Sequence, residues 1–335
     1  MIAVILVNTG TPDSPEVKDV KRYLRQFLGD KKVINQPWLW RKILVNLIIA
    51  PVRGPKSARL YKSIWTDEGS PLLVNANKFT NALQKELGTG FRTYTAMRYQ
   101  NPSMSEVVRR VIETEGLKKI VLVPMYPQFA DSTTGTIVAE FERLVKRYKI
   151  KVPVKICGQF FQNHGFIKAF TYKLLATRKP FHEHIIFSYH GLPVKQTERM
   201  HPGYTCNEAN CRYEYNERNA KCYYAACFAT TRLIAHEIGL TENDYTVSFQ
   251  SRLGMNWLKP YTDAIIEEKA LKGLKNMLII SPAFVADCLE TIHELGVEYD
   301  HLYREHGGQK LQMVESLNDD SSWVSTMAEI VTNEL

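Results

Sequence analysis

The chain has 335 residues, of which 44% are hydrophobic and 23% charged, so it can bury a large core and lacks the composition of a disordered protein. Lys and Arg number 43 against 35 Asp and Glu, and the net charge of +8 favours an acidic ligand or an anionic membrane surface. The sequence has neither an interleaved basic and aromatic stripe nor finger or helix-turn-helix spacing, which argues against a nucleic-acid partner.

The predicted elements alternate between strands and helices along the chain. Strand-like runs cover residues 2–7, 93–97, 120–124, 152–157, 184–189, 245–250 and 276–281. Helix-like stretches separate most of them, beginning with residues 17–28, whose apolar side chains lie close to one helical face. This βαβ alternation predicts an α/β fold with parallel sheets. The length predicts two domains, which we place at residues 1–151 and 152–309.

The first strand is followed by Asn8, Thr9, Gly10, Thr11 and Pro12, where a dinucleotide-binding protein would have several glycines. Only one glycine is present, so a nucleotide cofactor is disfavoured. Because the strand begins at once, no room is left for a signal or transit peptide, and we expect a cytoplasmic protein. Further along, residues 132–135 carry hydroxyls and a glycine that would either hold an anionic group or cap a helix.

Residues 38–49 carry an apolar cluster, which we call the hydrophobic lip. It consists of Trp38, Leu39, Trp40, Ile43, Leu44, Leu47, Ile48 and Ile49. The stretch is far shorter than the ~20 residues that span a bilayer, so we expect no transmembrane helix. Tryptophans beside Arg41, Lys42, Arg53 and Lys56 are instead typical of a surface that contacts anionic lipid, and a peripheral position on the inner membrane fits this pattern.

An imidazole and a row of carboxylates follow two of the later strands. His190 ends the run at residues 184–189, and Asp287, Glu290 and Glu294 follow the run at residues 276–281. At about 100° per residue the three carboxylates would share one face of a helix. Because strand ends in a parallel sheet line one crevice, the histidine would face the carboxylates. The pattern predicts proton and metal chemistry, with His190 as the base.

Four of the six cysteines lie together, with the spacing C-x4-C-x10-C-x4-C. They are Cys206, Cys211, Cys222 and Cys227. Cytosolic thiols stay reduced, so this spacing favours metal or cluster ligation over disulfides. Four thiolates would satisfy either zinc or a [2Fe–2S] cluster, and four unligated surface thiols are the least favoured alternative.

Six separated blocks of the sequence resemble the ferrochelatase family. They are residues 8–12, residues 97–99 with Arg98 and Tyr99, residues 126–135 with Tyr126, Ser132 and Thr133, the histidine block at residues 188–193, residues 251–257 with Trp257, and the acidic block at residues 287–295. The resemblance implies a lyase that inserts Fe(II) into protoporphyrin IX as the closing step of haem synthesis. It also implies two Rossmann-like domains with the porphyrin in a cleft between them, and a C-terminal helix, within about residues 310–335, that packs back on the first domain.

The resemblance also implies roles for residues of this chain. His190 and Glu290 would be catalytic, and Asp287 and Glu294 would join them in handling the iron. The porphyrin would contact Thr9, Arg98, Tyr99, Tyr126, Ser132, Thr133 and Trp257. Residues 204–227 look like an insertion similar to one that holds a [2Fe–2S] cluster in some bacterial members, so this cluster is favoured over zinc.

Several alternatives stay open from the sequence. Coproporphyrin III or another tetrapyrrole would use the same base and acidic residues, although the apolar lip favours protoporphyrin. A carrier of porphyrin or haem is disfavoured, because it would need an axial ligand and no base. The side from which iron arrives is open, and a monomer is the expected oligomeric state.

Overall fold

The computed structural model describes residues 1–201, 203–252 and 254–335; Leu253, in one of the resembling blocks, lies outside the described residues. The chain forms two compact units. The first unit comprises Met1–Tyr126, Asp131–Gly158 and Asn318–Leu335, and the second comprises Pro127–Ala130 and Gln159–Leu317. The units therefore change at residues 158 and 159, seven residues after the predicted boundary, and residues 310–317 belong to the second unit.

The first unit is built on a parallel sheet of four strands. They are β1 (Ile2–Gly10), β2 (Phe91–Tyr99), β3 (Lys119–Pro124) and β4 (Val154–Ile156), in the order β2-β1-β3-β4. The central strand β1 is buried from Ala3 onward, because helices cover a sheet whose strands are apolar on both faces. Its side chains form a core with those of the neighbouring strands and helices.

The helices of the first unit connect these strands. They are α1 (Val17–Leu28), α2 (Trp38–Ile43), α3 (Ala50–Ile64), α4 (Pro71–Leu87), α5 (Met104–Ile112) and α6 (Thr136–Arg147), with π-helical segments at Leu44–Ile49 and Asp131–Gly135. The predicted helix at residues 17–28 has the bounds of α1. The C-terminal helix of the chain, Ser321–Asn333, also belongs to this unit, and its buried Trp323 stacks on Phe79 of α4 at a ring-centroid distance of 5.8 Å.

The second unit repeats the topology of the first. Its strands are β5 (His184–His190), β6 (Tyr245–Gln250), β7 (Asn276–Ile280) and β8 (Lys310–Met313), all parallel, in the order β6-β5-β7-β8. Its helices are α7 (His164–Thr177), α8 (Val194–Glu198), α9 (Tyr223–Glu237), α10 (Thr262–Leu271) and α11 (Tyr299–Glu305), with a 3₁₀ turn at Glu217–Asn219 and a π-helical segment at Glu290–Glu298. The helix at Ser321–Asn333 is then α12.

The predicted α/β class with parallel sheets is confirmed, and the differences are local. Strand β8 was not predicted, because four residues with mixed polarity give too short a pattern. Helix α9 begins at Tyr223, inside the cysteine-rich segment, since the thiol of Cys222 caps it by accepting from the backbone N–H of Ala225. The acidic stretch becomes helical only around residue 289, so Asp287 precedes the helix.

Candidate functional site

His190 occupies the carboxyl end of β5, the central strand of the second sheet. Strands β6 and β7, which follow β5 in the chain, pair with opposite edges of β5. The carboxyl end of β5 is therefore the topological switch point, where open α/β sheets bind ligands. The imidazole is half-buried, and its Nδ1 lies 2.7 Å from the carbonyl oxygen of Gly191. A carbonyl can only accept, so Nδ1 carries the proton and Nε2 keeps the lone pair that a base requires.

Gly191 keeps Trp257 beside this histidine. A Cβ at Gly191 would lie 2.7 Å from the carbonyl oxygen of Gln250 and 3.3 Å from the Trp257 ring. Only glycine permits such a close approach without a shift of the backbone. Pro193 and Trp257 also pair through a β-bridge, so the predicted porphyrin contact Trp257 is held next to the end of β5.

Glu294 is a partly buried carboxylate with several hydrogen-bond donors. It accepts from the backbone N–H of Ser251 at 3.0 Å, from the Ser251 hydroxyl, and from the hydroxyl of Tyr299 at 3.1 Å. Burial raises its pKa, and the negative charge of Glu290 adds to this, while the Ser251 hydrogen bond and the charge of His190 oppose it. The structure therefore brings His190, Glu290 and Glu294 into one electrostatically coupled group.

Asp287 takes a different position from the one that the sequence analysis expected. Its Oδ1 accepts from the hydroxyl of Thr291 at 2.9 Å and from the backbone N–H of Ser316 at 3.2 Å. The expected face assumed an α-helix from residue 287, whereas the segment Glu290–Glu298 is π-helical and starts later. Glu290 and Glu294 are thus the helical carboxylate pair, and Asp287 fixes the segment that leads into it.

Each π-helical segment of the described chain contains residues that the sequence analysis singled out. Leu44–Ile49 lies in the hydrophobic lip, Asp131–Gly135 contains Ser132 and Thr133, and Glu290–Glu298 contains the two glutamates. π-Helical turns are rare in proteins and occur frequently at functional sites.

In the first unit, Thr9 and Tyr126 meet at the carboxyl end of β1. The backbone N–H of Thr9 donates to the Tyr126 hydroxyl at 2.7 Å, and the two side-chain hydroxyls are also hydrogen-bonded. This end of β1 is the switch point of the first sheet, equivalent to the position of His190 in the second.

Arg98 and Tyr99 converge on Asp30, a residue that the sequence analysis missed. Asp30 accepts from the guanidinium of Arg98 at 2.7 Å, from the hydroxyl of Tyr99 at 3.0 Å and from the hydroxyl of Thr136 at 2.6 Å. Burial alone would raise the pKa of Asp30, but the hydrogen bonds from Thr136 and the Lys32 backbone and the charge of Arg98 hold it below its usual value. The guanidinium of Arg98 is therefore already paired within the unit.

A polar cavity of about 510 Å³ opens beside this group of residues. Arg22, Arg25 and Arg98 line it together with Asp13 and Asp30. Among the described residues, the side chain of Arg25 has no ion-pair or hydrogen-bond partner, so the cavity offers a cation to an anionic group.

The cysteine-rich segment forms a compact group of four potential metal ligands, which we call the Cys/His group. His201, Cys206, Cys211 and Cys222 place their donor atoms within 4.8 Å of one another. Hydrogen bonds from Cys206 and Cys222 hold the pKa of the Cys211 thiol well below its usual value. Cys227, the expected fourth ligand, is not a member of the group, and the sequence analysis missed His201, which stands outside the cysteine spacing.

The side chains of the hydrophobic lip are largely exposed. Trp38, Trp40 and Leu47 are 65%, 68% and 71% exposed, and Lys42 lies over the Trp38 ring at 5.1 Å. Arg41 differs from the sequence interpretation: it is buried and donates to the carbonyl oxygens of Gly29 and Gln36, so it fixes the base of the lip. No helix among the described residues has both the length and the apolar character needed to cross a membrane.

Comparison with known proteins identifies relatives along the whole chain. The family model described as Ferrochelatase matches residues 1–335. A ferrochelatase of Pseudomonas fluorescens is 40% identical over 332 residues, which are 97% of this chain and 96% of that one. A ferrochelatase of Bdellovibrio bacteriovorus is 38% identical over 331 residues, with 98% of each chain covered. SirB from Bacillus subtilis, solved with Fe³⁺, shares the fold with a TM-score of 0.56 at 10% identity, covering 99% of this chain and 95% of that one.

Proposed function

Since this chain belongs to the ferrochelatase family, which inserts Fe(II) into a porphyrin for haem synthesis, we propose that His190 is the base of that reaction. The enzyme is a metal-chelatase lyase. The observation that carries the proposal is the group of His190, Glu290 and Glu294, in which burial and the charge of Glu290 raise the pKa of Glu294 while the charge of a protonated His190 lowers it. Perturbed titratable groups at a switch point are typical of a catalytic site.

The proposed mechanism is a pair of proton transfers. When Fe(II) enters the macrocycle, the two pyrrole N–H groups each lose a proton and their nitrogens bind the metal. Nε2 of His190 has its lone pair free and accepts the first proton. The Glu290 and Glu294 pair accepts the second, because a carboxylate with a raised pKa holds a proton closer to neutral pH than an ordinary one. We assign Asp287 to positioning of the glutamates through Thr291 and Ser316.

The remaining residues of the site are proposed as porphyrin contacts. In the second unit, Trp257 would pack on the macrocycle beside His190. In the first unit, Thr9 and Tyr126 at the end of β1, with Ser132 and Thr133, would contact the ring edge. The polar cavity would accept a porphyrin carboxylate, with Arg98 and Tyr99 at its wall. The proposed porphyrin contacts are therefore Thr9, Arg98, Tyr99, Tyr126, Ser132, Thr133 and Trp257.

We propose protoporphyrin IX as the porphyrin, because the exposed apolar lip suits a substrate with fewer carboxylates. The three arginines around the cavity make the more carboxylated coproporphyrin III the alternative. A competition assay with equal concentrations of both porphyrins and limiting Fe(II) tests the choice. We expect protohaem to form at least about tenfold faster than coprohaem, since a difference of about 1.4 kcal/mol in specificity gives this ratio. Preferential formation of coprohaem would contradict the proposal.

We also propose that the Cys/His group holds a metal cofactor, with a [2Fe–2S] cluster favoured over zinc. Tetrahedral zinc with bonds of about 2.3 Å to sulfur would separate its thiolates by about 3.8 Å. The sulfur atoms of Cys206 and Cys222 are 3.9 Å apart, and the sulfur of Cys211 is 3.4 Å from Nε2 of His201. These distances fit a single ion. The preference for a cluster rests on the resemblance of residues 204–227 to the cluster-holding insertion of some bacterial family members, and His201, Cys206, Cys211 and Cys222 would hold it. A cluster would supply one-electron redox chemistry, and zinc would supply a structural cross-link.

The hydrophobic lip is proposed as a peripheral membrane contact from which a lipophilic porphyrin reaches the enzyme. Burial of one tryptophan in the interface contributes about 1.5–3 kcal/mol, so Trp38→Ser and Trp40→Ser should each weaken binding to anionic liposomes about tenfold or more. Sedimentation with vesicles measures the partitioning. A variant with Tyr172→Ser and Leu175→Ser, exposed residues of α7, is the matched control and should bind as the unchanged protein does. Unchanged sedimentation of both tryptophan variants would contradict the proposal.

A further inference from the structure

We propose that His201, and not Cys227, is the fourth ligand of the metal in the Cys/His group, which is therefore held by three thiolates and one imidazole. The inference rests on the metal site proposed above and specifies its ligands. It departs from the cysteine spacing, in which four equivalent thiols suggest a site made of cysteine alone.

The orientation of His201 is that of a metal ligand. The side chain is 5% exposed, and its Nε2 lies 3.4 Å from the sulfur of Cys211. Its Nδ1 lies 3.2 Å from the carbonyl oxygen of Tyr204, which can only accept, so the proton is on Nδ1. The lone pair of Nε2 therefore points into the group of thiols. Metal-ligating histidines typically donate their second ring N–H to a carbonyl or carboxylate in this way.

Two of the three thiols accept hydrogen bonds from the surrounding loop and helix. The side-chain amide of Asn219 donates to Cys211 at 3.6 Å, and the backbone N–H of Ala225 donates to Cys222 at 3.4 Å. Cys222 also caps the N-terminus of α9, so the helix holds its sulfur in place. Asn219 is fully buried and bonds the carbonyl oxygens of Ala209 and Glu214, so it fixes the loop around the group.

Cys227 has the environment of a core residue. It lies inside α9, five residues beyond Cys222, and a helix rises about 7.5 Å over that distance. Its side chain is fully buried, and burial raises the pKa of the thiol well above its usual value. Tyr223 and Tyr189 are its neighbours. A protonated thiol among aromatic side chains packs as a small apolar group rather than as a ligand.

The test compares substitutions of the two candidate ligands in the full chain, purified without oxygen from cells grown with added iron and zinc. Iron, zinc and acid-labile sulfide per chain are measured together with the visible spectrum. We expect His201→Ala to lose metal about tenfold or more, as the positive control Cys211→Ser does, because even a residue that supports a ligand typically contributes 10–100-fold to metal affinity. We expect Cys227→Ala to retain the metal and the spectrum.

A second variant separates ligation from folding. His201→Cys supplies a thiolate at the same position, so it should retain the metal while changing the spectrum of the cluster, or of Co(II) loaded in place of zinc. Retention of full metal and an unchanged spectrum by His201→Ala, or loss of metal from Cys227→Ala with a native circular dichroism spectrum, would overturn the ligand assignment alone. Absence of metal from the unsubstituted protein would overturn the proposed site together with this assignment.

Discussion

Replacement of His190 by alanine is expected to lower kcat for Fe(II) insertion by about 10²–10⁴-fold, the usual contribution of a positioned base. The imidazole is held by its hydrogen bond to Gly191 with Nε2 free, so no other described group replaces it at the end of β5. Porphyrin binding should persist, because the proposed contacts of Thr9, Tyr126 and Trp257 are unchanged. Anaerobic stopped-flow absorbance, with saturating Fe(II) and porphyrin, measures kcat directly.

The matched control is His301→Ala on α11, where the imidazole is 73% exposed and pairs only with Glu305 among the described residues. This variant should retain the unsubstituted kcat. Thermal melting of both variants checks that the fold is kept. If His190→Ala turned over at near-normal rate, His190 would not be the base.

Replacement of Glu290 or Glu294 by glutamine is expected to lower kcat by about 10²-fold or more, because an amide cannot accept the second pyrrole proton. Glu298→Gln is the control: it lies in the same π-helical segment, with its side chain 48% exposed, and should leave kcat unchanged. Normal kcat in both test variants would exclude the pair from proton transfer.

Glu294→Gln should also change the dependence of stability on pH. The folded state raises the pKa of Glu294, so it favours the protonated carboxyl. That stabilisation is fully present below the ordinary pKa of 4.5 and is lost as the pH rises through the folded value. Glutamine stays neutral, so the variant should resist urea better than the unsubstituted protein at neutral pH and lose this advantage in acid. If the variant were less stable than the unsubstituted protein at neutral pH, the pKa of Glu294 would not be raised in the folded state.

The sequence predicted those features that depend on local pattern. His190 directly follows a strand-like run at residues 184–189, so both the strand and the position of the histidine at its carboxyl end could be read directly. Glu290 and Glu294 follow another such run, and the alternation of runs and helices predicted two parallel sheets, which the structure contains. The lip was identified because its apolar residues all fall within a dozen positions.

The features that were missed depend on contacts between distant residues or on unusual helices. Asp30 meets Arg98 across 68 positions, and no short motif joins them. His201 belongs with cysteines whose regular spacing pointed to Cys227 instead, and only the start of α9 at Tyr223 shows that Cys227 is inside a helix. Asp287 was assigned to an α-helical face, which assumed 3.6 residues per turn where the chain is π-helical.

The most direct test of the function is an anaerobic assay of the purified chain with Fe(II) and protoporphyrin IX, followed by the absorbance of protohaem. We expect multiple turnovers, at a rate well above that of the reaction without enzyme. Failure to form protohaem above that background, by a folded protein that binds the porphyrin, would contradict it.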